Sequence, residues 1–237
     1  MDTVVEHTLY DWFRDIWLPA AGAILIPVAI AFFTWWFGAS RAEKQKEMQE
    51  LRDNLNLLIS LLMSYMELLA NARHKFESLQ KSVNSIKNYN NARNNPAFFT
   101  RFTCENILKD INVSSYSACL VYDEDFLVCL IRIKDLGAQL ENIIEERNAS
   151  LISMASCENI KIREERYASF LVDQSSNLDT MLNLVDVCLI QSYNYLKRIK
   201  SFEKQYIDLK LNNPEFDDET FFSKIEKEYT QRNKQND

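Results

Sequence analysis

Glycine, proline and histidine are scarce in this chain. Its 237 residues include three glycines and four prolines, and two of each lie in or beside one apolar run near the N-terminus. The remainder has almost none of the residues that punctuate tight turns, which excludes a sheet rich in β-hairpins and an alternating α/β architecture. The scarcity predicts an all-α chain built from long helices.

The chain also lacks the usual signatures of catalysis and metal binding. The only histidines are His7 and His74, no Cys-x-x-Cys pair occurs, and the five cysteines are odd in number and well separated. Such cysteines are typical of reduced core thiols on a cytosolic face. No nucleophile elbow, phosphate loop, dinucleotide motif or zinc-protease motif is present. We therefore expect no enzyme activity, no cofactor and no metal; an enzyme with an unrecognised site is the weakest alternative.

The charge is acidic, with a formal net value of −7. A surface that neutralises phosphates needs clustered lysine and arginine. The balance therefore argues against nucleic acid as a partner.

One uncharged apolar stretch dominates the N-terminal region. Residues 16–37, IWLPAAGAILIPVAIAFFTWWF, make a run of 22 residues, and about 20 such residues cross a bilayer core as one helix. Trp17 and Trp35 would lie roughly 27 Å apart in a helix, near the two interfaces that indole rings favour. The run predicts a transmembrane helix over 16–37. The expected interfacial residues are Trp12, Trp17, Trp35 and Trp36.

A signal peptide is an alternative interpretation of this run. It would require a basic lead, a shorter apolar region and a small residue three positions before the cleavage site. Here the residues before the apolar run are acidic. Phe37, a large residue, lies three positions before the candidate cleavage site between Ala39 and Ser40. We therefore favour the membrane span.

Small residues and prolines recur every four positions within the span. Pro19, Ala23, Pro27 and Ala31 form one narrow helical stripe, and prolines in a helix interior usually kink the axis. Stripes of this kind often let neighbouring membrane helices approach closely. The stripe is either a self-association face or part of a lone, kinked anchor in lipid.

The flanks of the span predict its orientation. Within about 20 residues of its ends, the N-terminal side offers only Arg14, whereas the other side offers Arg41, Lys44, Lys46 and Arg52. The positive-inside rule places residues 1–15 outside and the large C-terminal region in the cytoplasm. Residues 1–15 are amphipathic and acidic, and they form either an interfacial helix or an extension of the span. The expected membrane is the inner membrane of a bacterium.

A heptad pattern follows the span and predicts a long helix over about 40–88. Its apolar residues alternate steps of three and four, as in a left-handed coiled coil. Leu57, Leu61 and Leu68 lie outside this seam, so we expect a bundle rather than a two-stranded coil. The seam either joins parallel copies or packs against a second long helix of the same chain. Its main residues are Leu51, Leu55, Leu58, Leu62, Leu69, Phe76 and Leu79.

An asparagine-rich break at residues 88–96 separates this helix from the rest. The predicted elements after it are short helices over about 97–112 and 123–148, a second long helix over about 154–211, and a segment, 212–237, holding a short helix and a disordered polar tail. Asp123 is the expected N-cap of the second short helix. Residues 40–211 together form the predicted cytosolic bundle.

A basic cluster lies near the end of the second long helix. It consists of Lys197, Arg198, Lys200 and Lys204. These cations either contact anionic lipid or a phosphorylated ligand, or complement the negative pole of their own helix.

The predicted architecture is a single-pass membrane helix followed by an elongated cytosolic helical bundle or coiled coil. We expect an interaction or scaffold protein that contacts the bilayer, associates with itself, and binds a cytosolic protein or small ligand. The alternative is an oligomeric effector that perturbs the membrane when a signal arrives. A small membrane segment attached to a cytosolic helical sensor is similar, in layout, to some bacterial antiviral membrane effectors.

Overall fold

A computed structural model of the chain describes residues 18–85, 99–156, 160–205, 209–212 and 219–236. These contain four α-helices and one 3-10 helix: α1 (Leu18–Ser85), the 3-10 helix (Val113–Val121), α2 (Phe126–Ala155), α3 (Ile160–Gln205) and α4 (Glu219–Asn236). No strand occurs among the described residues. The predicted all-α class is confirmed.

The chain divides into two compact units, Met1–Glu50 and Leu51–Asp237, and α1 contributes residues to both. In the first unit α1 continues through Pro27 without a break. Within the described part of the chain, α1 is the one helix long and apolar enough to cross a membrane, by length and composition. Residues 1–15, Trp12 and Trp17 lie outside the described residues.

The core of the second unit is made by apolar rows on α1, α2 and α3. All seven main residues of the predicted α1 seam are buried within the single chain. Apolar side chains along α3 are also buried, among them Tyr167, Met181 and Ile199. The seam is therefore closed by contacts within one chain, and its use between copies remains a prediction.

Aromatic contacts show how neighbouring helices run. The Phe126 ring, at the start of α2, lies 4.9 Å from the Tyr195 ring and 5.2 Å from the Phe202 ring, both near the end of α3. α2 and α3 are therefore antiparallel. The Phe76 ring of α1 meets the Phe102 ring edge to face at 5.2 Å, which places the segment before the 3-10 helix against α1.

The predicted helix over 97–112 is wrong in its described part. Residues 99–112 contain no α-helix; Phe99 is in 3-10 conformation, and residues 100–112 form turns and irregular backbone. The Asn106 side chain accepts a hydrogen bond from the Leu108 N–H at 3.2 Å. The Asn148 side chain of α2 accepts a hydrogen bond from the Phe102 N–H and donates one to the Phe102 carbonyl. Such bonds from side chains replace those of a helix.

The limits of the helices also differ from the prediction. α2 extends to Ala155, so residues assigned to the start of the second long helix belong to α2, and α4 extends to Asn236 through the tail expected to be disordered. α2 begins at Phe126, and the Asp123 carboxylate accepts the Asp125 N–H at 3.1 Å in the preceding turn. Residues 209–212 follow α3 without helical structure.

Candidate functional site

A buried ion-pair cluster is the most distinctive polar feature of the second unit. The Asp186 side chain, on α3, is 0% exposed, and its Oδ1 accepts a hydrogen bond from Arg73 Nε of α1 at 2.7 Å. The same guanidinium contacts Glu77 on its own helix, with 2.6 Å between Nη1 and Oε1. A buried carboxylate is stable only when it is paired and hydrogen-bonded.

The C-terminal helix supplies the remaining members of the cluster. Arg73 Nη2 donates to Glu228 Oε2 of α4 at 2.6 Å, and Arg232, one turn further along α4, forms an ion pair with the second oxygen of Asp186. Burial lowers the pKa of Arg232, and the neighbouring Arg73 charge lowers it further. We call Arg73, Glu77, Asp186, Glu228 and Arg232 the Asp186 cluster; it joins α1, α3 and α4.

Heptad geometry explains why Arg73 meets Asp186. Ile59 and Met66 are buried in α1, and seven residues later the same row continues with Arg73. Seven residues beyond Arg73, Gln80 donates to Asp179 of α3, which lies seven residues before Asp186. Later positions of α1 thus meet earlier positions of α3, so the two helices are antiparallel, with a polar row beside the apolar seam.

The junction of α3 and α4 has an aromatic core and a small cleft. The Tyr193 and Phe222 rings stack with centroids 3.9 Å apart and planes 5° from parallel. Lys197 Nζ lies 4.5 Å from the Tyr193 centroid, a distance that permits a cation–π interaction. The cleft has a volume of about 170 Å³ and is lined by Ile190, Tyr193, Asn194, Lys197, Phe222, Ser223 and Glu226.

A second buried cluster fixes α1 against α2. Gly137 of α2 lies so close to Tyr65 of α1 that a Cβ there would stand 2.5 Å from the tyrosine oxygen and 2.8 Å from Asn106 Cγ. Asn106 donates to the Lys134 carbonyl at 2.9 Å. Burial raises the pKa of Tyr65 well above its ordinary value, and the nearby Cys188 sulfur adds to this effect.

Four of the five cysteines lie in the described residues and are free thiols. Burial raises the pKa of Cys104 to about 11 and that of Cys119 and Cys188 to about 12. A thiol with a raised pKa is a poor nucleophile at neutral pH, because the thiolate is the reactive form. Among the described residues, no group of three His, Cys, Asp or Glu side chains is arranged to hold a metal ion.

The four residues of the predicted basic cluster have different surroundings in the structure. Lys197 lies over Tyr193 at the α4 junction. Arg198 points to the start of α2, where its Nε is 3.0 Å from Asp123 Oδ2 and its Nη1 is 3.1 Å from Cys129 Sγ. Lys200 is half-buried and Lys204 is exposed. A role in binding anions or lipid stays a prediction for these four residues.

The predicted membrane residues are described only in part. Trp35 and Trp36 are exposed on α1, and the same holds for Pro27 and Ala31 of the association stripe. At Pro19 and Ala23 the backbone is helical.

The sequence prediction did not identify the Asp186 cluster. A signal was present, because Asp186 stands on an α3 row in which Leu182, Leu189 and Tyr193 are all buried. A single carboxylate within such a row indicates a buried partner of opposite charge. The distant Arg73 and Arg232 carry no equivalent signal, since lysine and arginine are common on exposed helix faces.

Comparisons with protein-family models, with curated proteins and with solved structures give no match for this chain.

Proposed function

We propose that the chain is a membrane-anchored interaction protein whose bundle binds partners in the cytoplasm. One observation carries the proposal: nine large apolar side chains between Leu25 and Phe37 are 54% to 66% exposed. Soluble monomers rarely expose a contiguous apolar surface of this size, whereas a bilayer covers it without cost. The apolar residues of the predicted seam, by contrast, are almost fully buried in the second unit.

The charge distribution supports the proposed orientation. The cations that follow the span, including Arg41 and Lys44, belong to the first unit and are exposed. Basic residues at this position favour the cytoplasmic side of a membrane. The bundle is accordingly proposed to face the cytoplasm, with residues 1–15 on the other side.

Self-association is part of the proposal, through a face other than the buried seam. Because the seam already packs within one chain, two surfaces of α1 are available: the stripe containing Pro27 and Ala31 in the span, and an outward row in the bundle. In that row Leu57 and Leu68 are 57% and 40% exposed and lie three helical turns apart, on the same face.

The test compares the full chain with a variant carrying Leu25→Lys, Ile30→Lys and Phe33→Lys. We expect the wild-type chain in the membrane fraction, resistant to alkaline carbonate and released only by detergent. The triple variant should move to the soluble fraction, because a lysine at the centre of a bilayer costs about 2.5 to 3.5 kcal/mol. Mass photometry in nanodiscs should give one defined multiple of the protomer mass for the wild type.

The matched control is Ser60→Lys, Ser64→Lys and Glu67→Lys, three exposed positions of α1 in the bundle. It adds lysines outside the span and should remain in the membrane fraction. Retention of the span variant in the membrane would contradict the anchor, and a monomer mass would contradict self-association. Loss of membrane potential on expression of the wild type would favour the membrane-perturbing effector over the interaction protein.

A further inference from the structure

The Asp186 cluster divides its charges between helices in an uneven way. α4 supplies one cation, Arg232, and one anion, Glu228. α1 and α3 supply the other cation, Arg73, and two anions, Glu77 and Asp186. Removal of α4 therefore withdraws one charge of each sign.

The charges that would remain after removal of α4 are still paired. Asp186 keeps the 2.7 Å hydrogen bond from Arg73 Nε, and Arg73 keeps the 2.6 Å contact with Glu77. An ion pair that loses one buried partner normally leaves a charge without compensation, which is strongly unfavourable. Here Arg73 serves as a second cation that prevents this outcome.

The apolar contribution of α4 is also small. Of its residues with described side chains, Phe222 and Ile225 are the two that are buried. Phe222 stacks on Tyr193 next to the open cleft. A helix that buries so few of its described apolar side chains belongs to the part of a fold that opens first.

We propose that α4 is a releasable clasp. It separates from α1 and α3 as a unit while the rest of the bundle stays folded, and the surface that it uncovers binds a helix of the same pattern. That pattern is the one of α4 itself, in which the residues follow one another at steps of three, three and four. They are an aromatic residue (Phe222), an aliphatic residue (Ile225), a carboxylate (Glu228) and an arginine (Arg232). Release of α4 involves the second unit alone and is independent of the membrane location.

The first experiment measures hydrogen exchange of the full chain in nanodiscs. Arg232→Gln removes the α4 cation and leaves Asp186 paired with Arg73, so we expect at least tenfold faster exchange in α4 and an unchanged rate in α2. Lys227→Gln is the matched control, because it makes the same change of charge on α4 at an exposed position. Its exchange should equal that of the wild type.

Two results would overturn the clasp. If Arg232→Gln accelerates α2 and α3 as much as α4, then α4 is an integral part of the bundle and does not separate from it. If α4 exchanges no faster in Arg232→Gln than in Lys227→Gln, the ion pair does not hold the helix.

The second experiment tests the uncovered surface with a fluorescent peptide of residues 219–236. The acceptor is the full chain carrying Phe222→Ala and Arg232→Gln, whose own clasp is weakened. Two peptides are compared on this acceptor: the wild-type peptide and one that carries Phe222→Ala and Arg232→Gln. We expect the wild-type peptide to bind at least tenfold more tightly. Equal affinity of the two peptides would show that the surface does not recognise the pattern, and the inference would fail.

Discussion

Asp186 and Arg147 are two buried charges that the bundle accommodates differently. Asp186 has two arginine partners, whereas Arg147 of α2 donates to the Thr100 carbonyl at 2.9 Å and lies with its guanidinium 4.5 Å from the Phe102 ring centroid. Burial lowers the pKa of Arg147 to about 10. Its long stem and planar head let it fill core space while still satisfying its donors.

Gly137 provides a residue-scale prediction about close packing. Gly137→Ala should destabilise the bundle by about 1 to 2 kcal/mol, because overpacking costs about 1 to 3 kcal/mol and only part is offset by the better helix propensity of alanine. The new methyl group would meet Tyr65 and Asn106. Urea unfolding of the full chain in detergent measures the effect.

The control for this prediction is Gly38→Ala. It makes the same chemical change in α1 where a Cβ meets nothing within 4 Å, so the unfolding midpoint of the bundle should not change. Equal effects of the two substitutions would show that propensity, not contact, decides the result at Gly137.

Residue burial in the long helices could be predicted from the sequence, whereas the polar partners could not. The burial of the main seam residues of α1 follows from their spacing alone. The identity of the groups facing Arg73 depends on how three helices lie side by side, and spacing along one helix carries no information about that. For the same reason, the close contacts of Gly137 with Tyr65 and Asn106 could not be predicted from the sequence.

At the scale of elements, the segment before the 3-10 helix shows how side chains can replace regular structure. Asn148 of α2 donates to the Phe102 carbonyl at 2.7 Å and accepts from its N–H at 3.2 Å, so one amide satisfies both groups of a buried residue. Asn112 caps the 3-10 helix through the Ser114 N–H. Side-chain hydrogen bonds thus hold an irregular backbone where the sequence predicted a helix.

Asn148→Ala should release this segment. The substitution leaves two backbone groups of Phe102 without partners, at a cost of about 1 to 3 kcal/mol. We expect faster hydrogen exchange at residues 100–104 and a lower urea midpoint. Asn142→Ala, at an exposed position of the same helix, is the control and should change neither quantity; an equal loss in both variants would contradict the anchor.

At the scale of the whole molecule, the buried thiols make stability depend on alkaline pH. Unfolded cysteines ionise near pH 9, whereas burial raises the pKa of Cys104 to about 11 and that of Cys119 and Cys188 to about 12. Protonated thiols therefore stabilise the fold fully below pH 9, and this contribution is lost as the pH rises toward 11 to 12. The lowered pKa of Arg147 acts in the opposite direction only above about pH 10.

We therefore expect the free energy of unfolding to fall between pH 9 and pH 10. The slope is at most about 1.4 kcal/mol per pH unit for each thiol. Urea titrations at pH 8, 9 and 10 measure it, and Cys119→Ala should make the slope shallower. A flat profile across this range would mean that the thiols do not remain protonated in the folded chain.

The helical class and the apolar N-terminal helix could be predicted from composition, whereas the packing of the heptad seam within one chain could not. Few glycines and prolines predicted helices, and one uncharged run predicted a helix able to span a membrane. Whether the heptad seam closes within one chain or between copies depends on the relative stability of two packings of the same residues. Spacing along the chain is identical in both cases.

The hydrogen bond between Arg73 and Glu228 joins residues 155 positions apart, and this separation has a consequence for synthesis. Domains emerge from the ribosome N-terminus first, at about 5 to 20 residues per second. Arg73 is therefore made roughly 8 to 30 seconds before its partner on α4. During that interval the apolar run of α1 has already been made, while the bundle still lacks α4. The proposed insertion of α1 into a membrane would thus come before α4 closes the cluster.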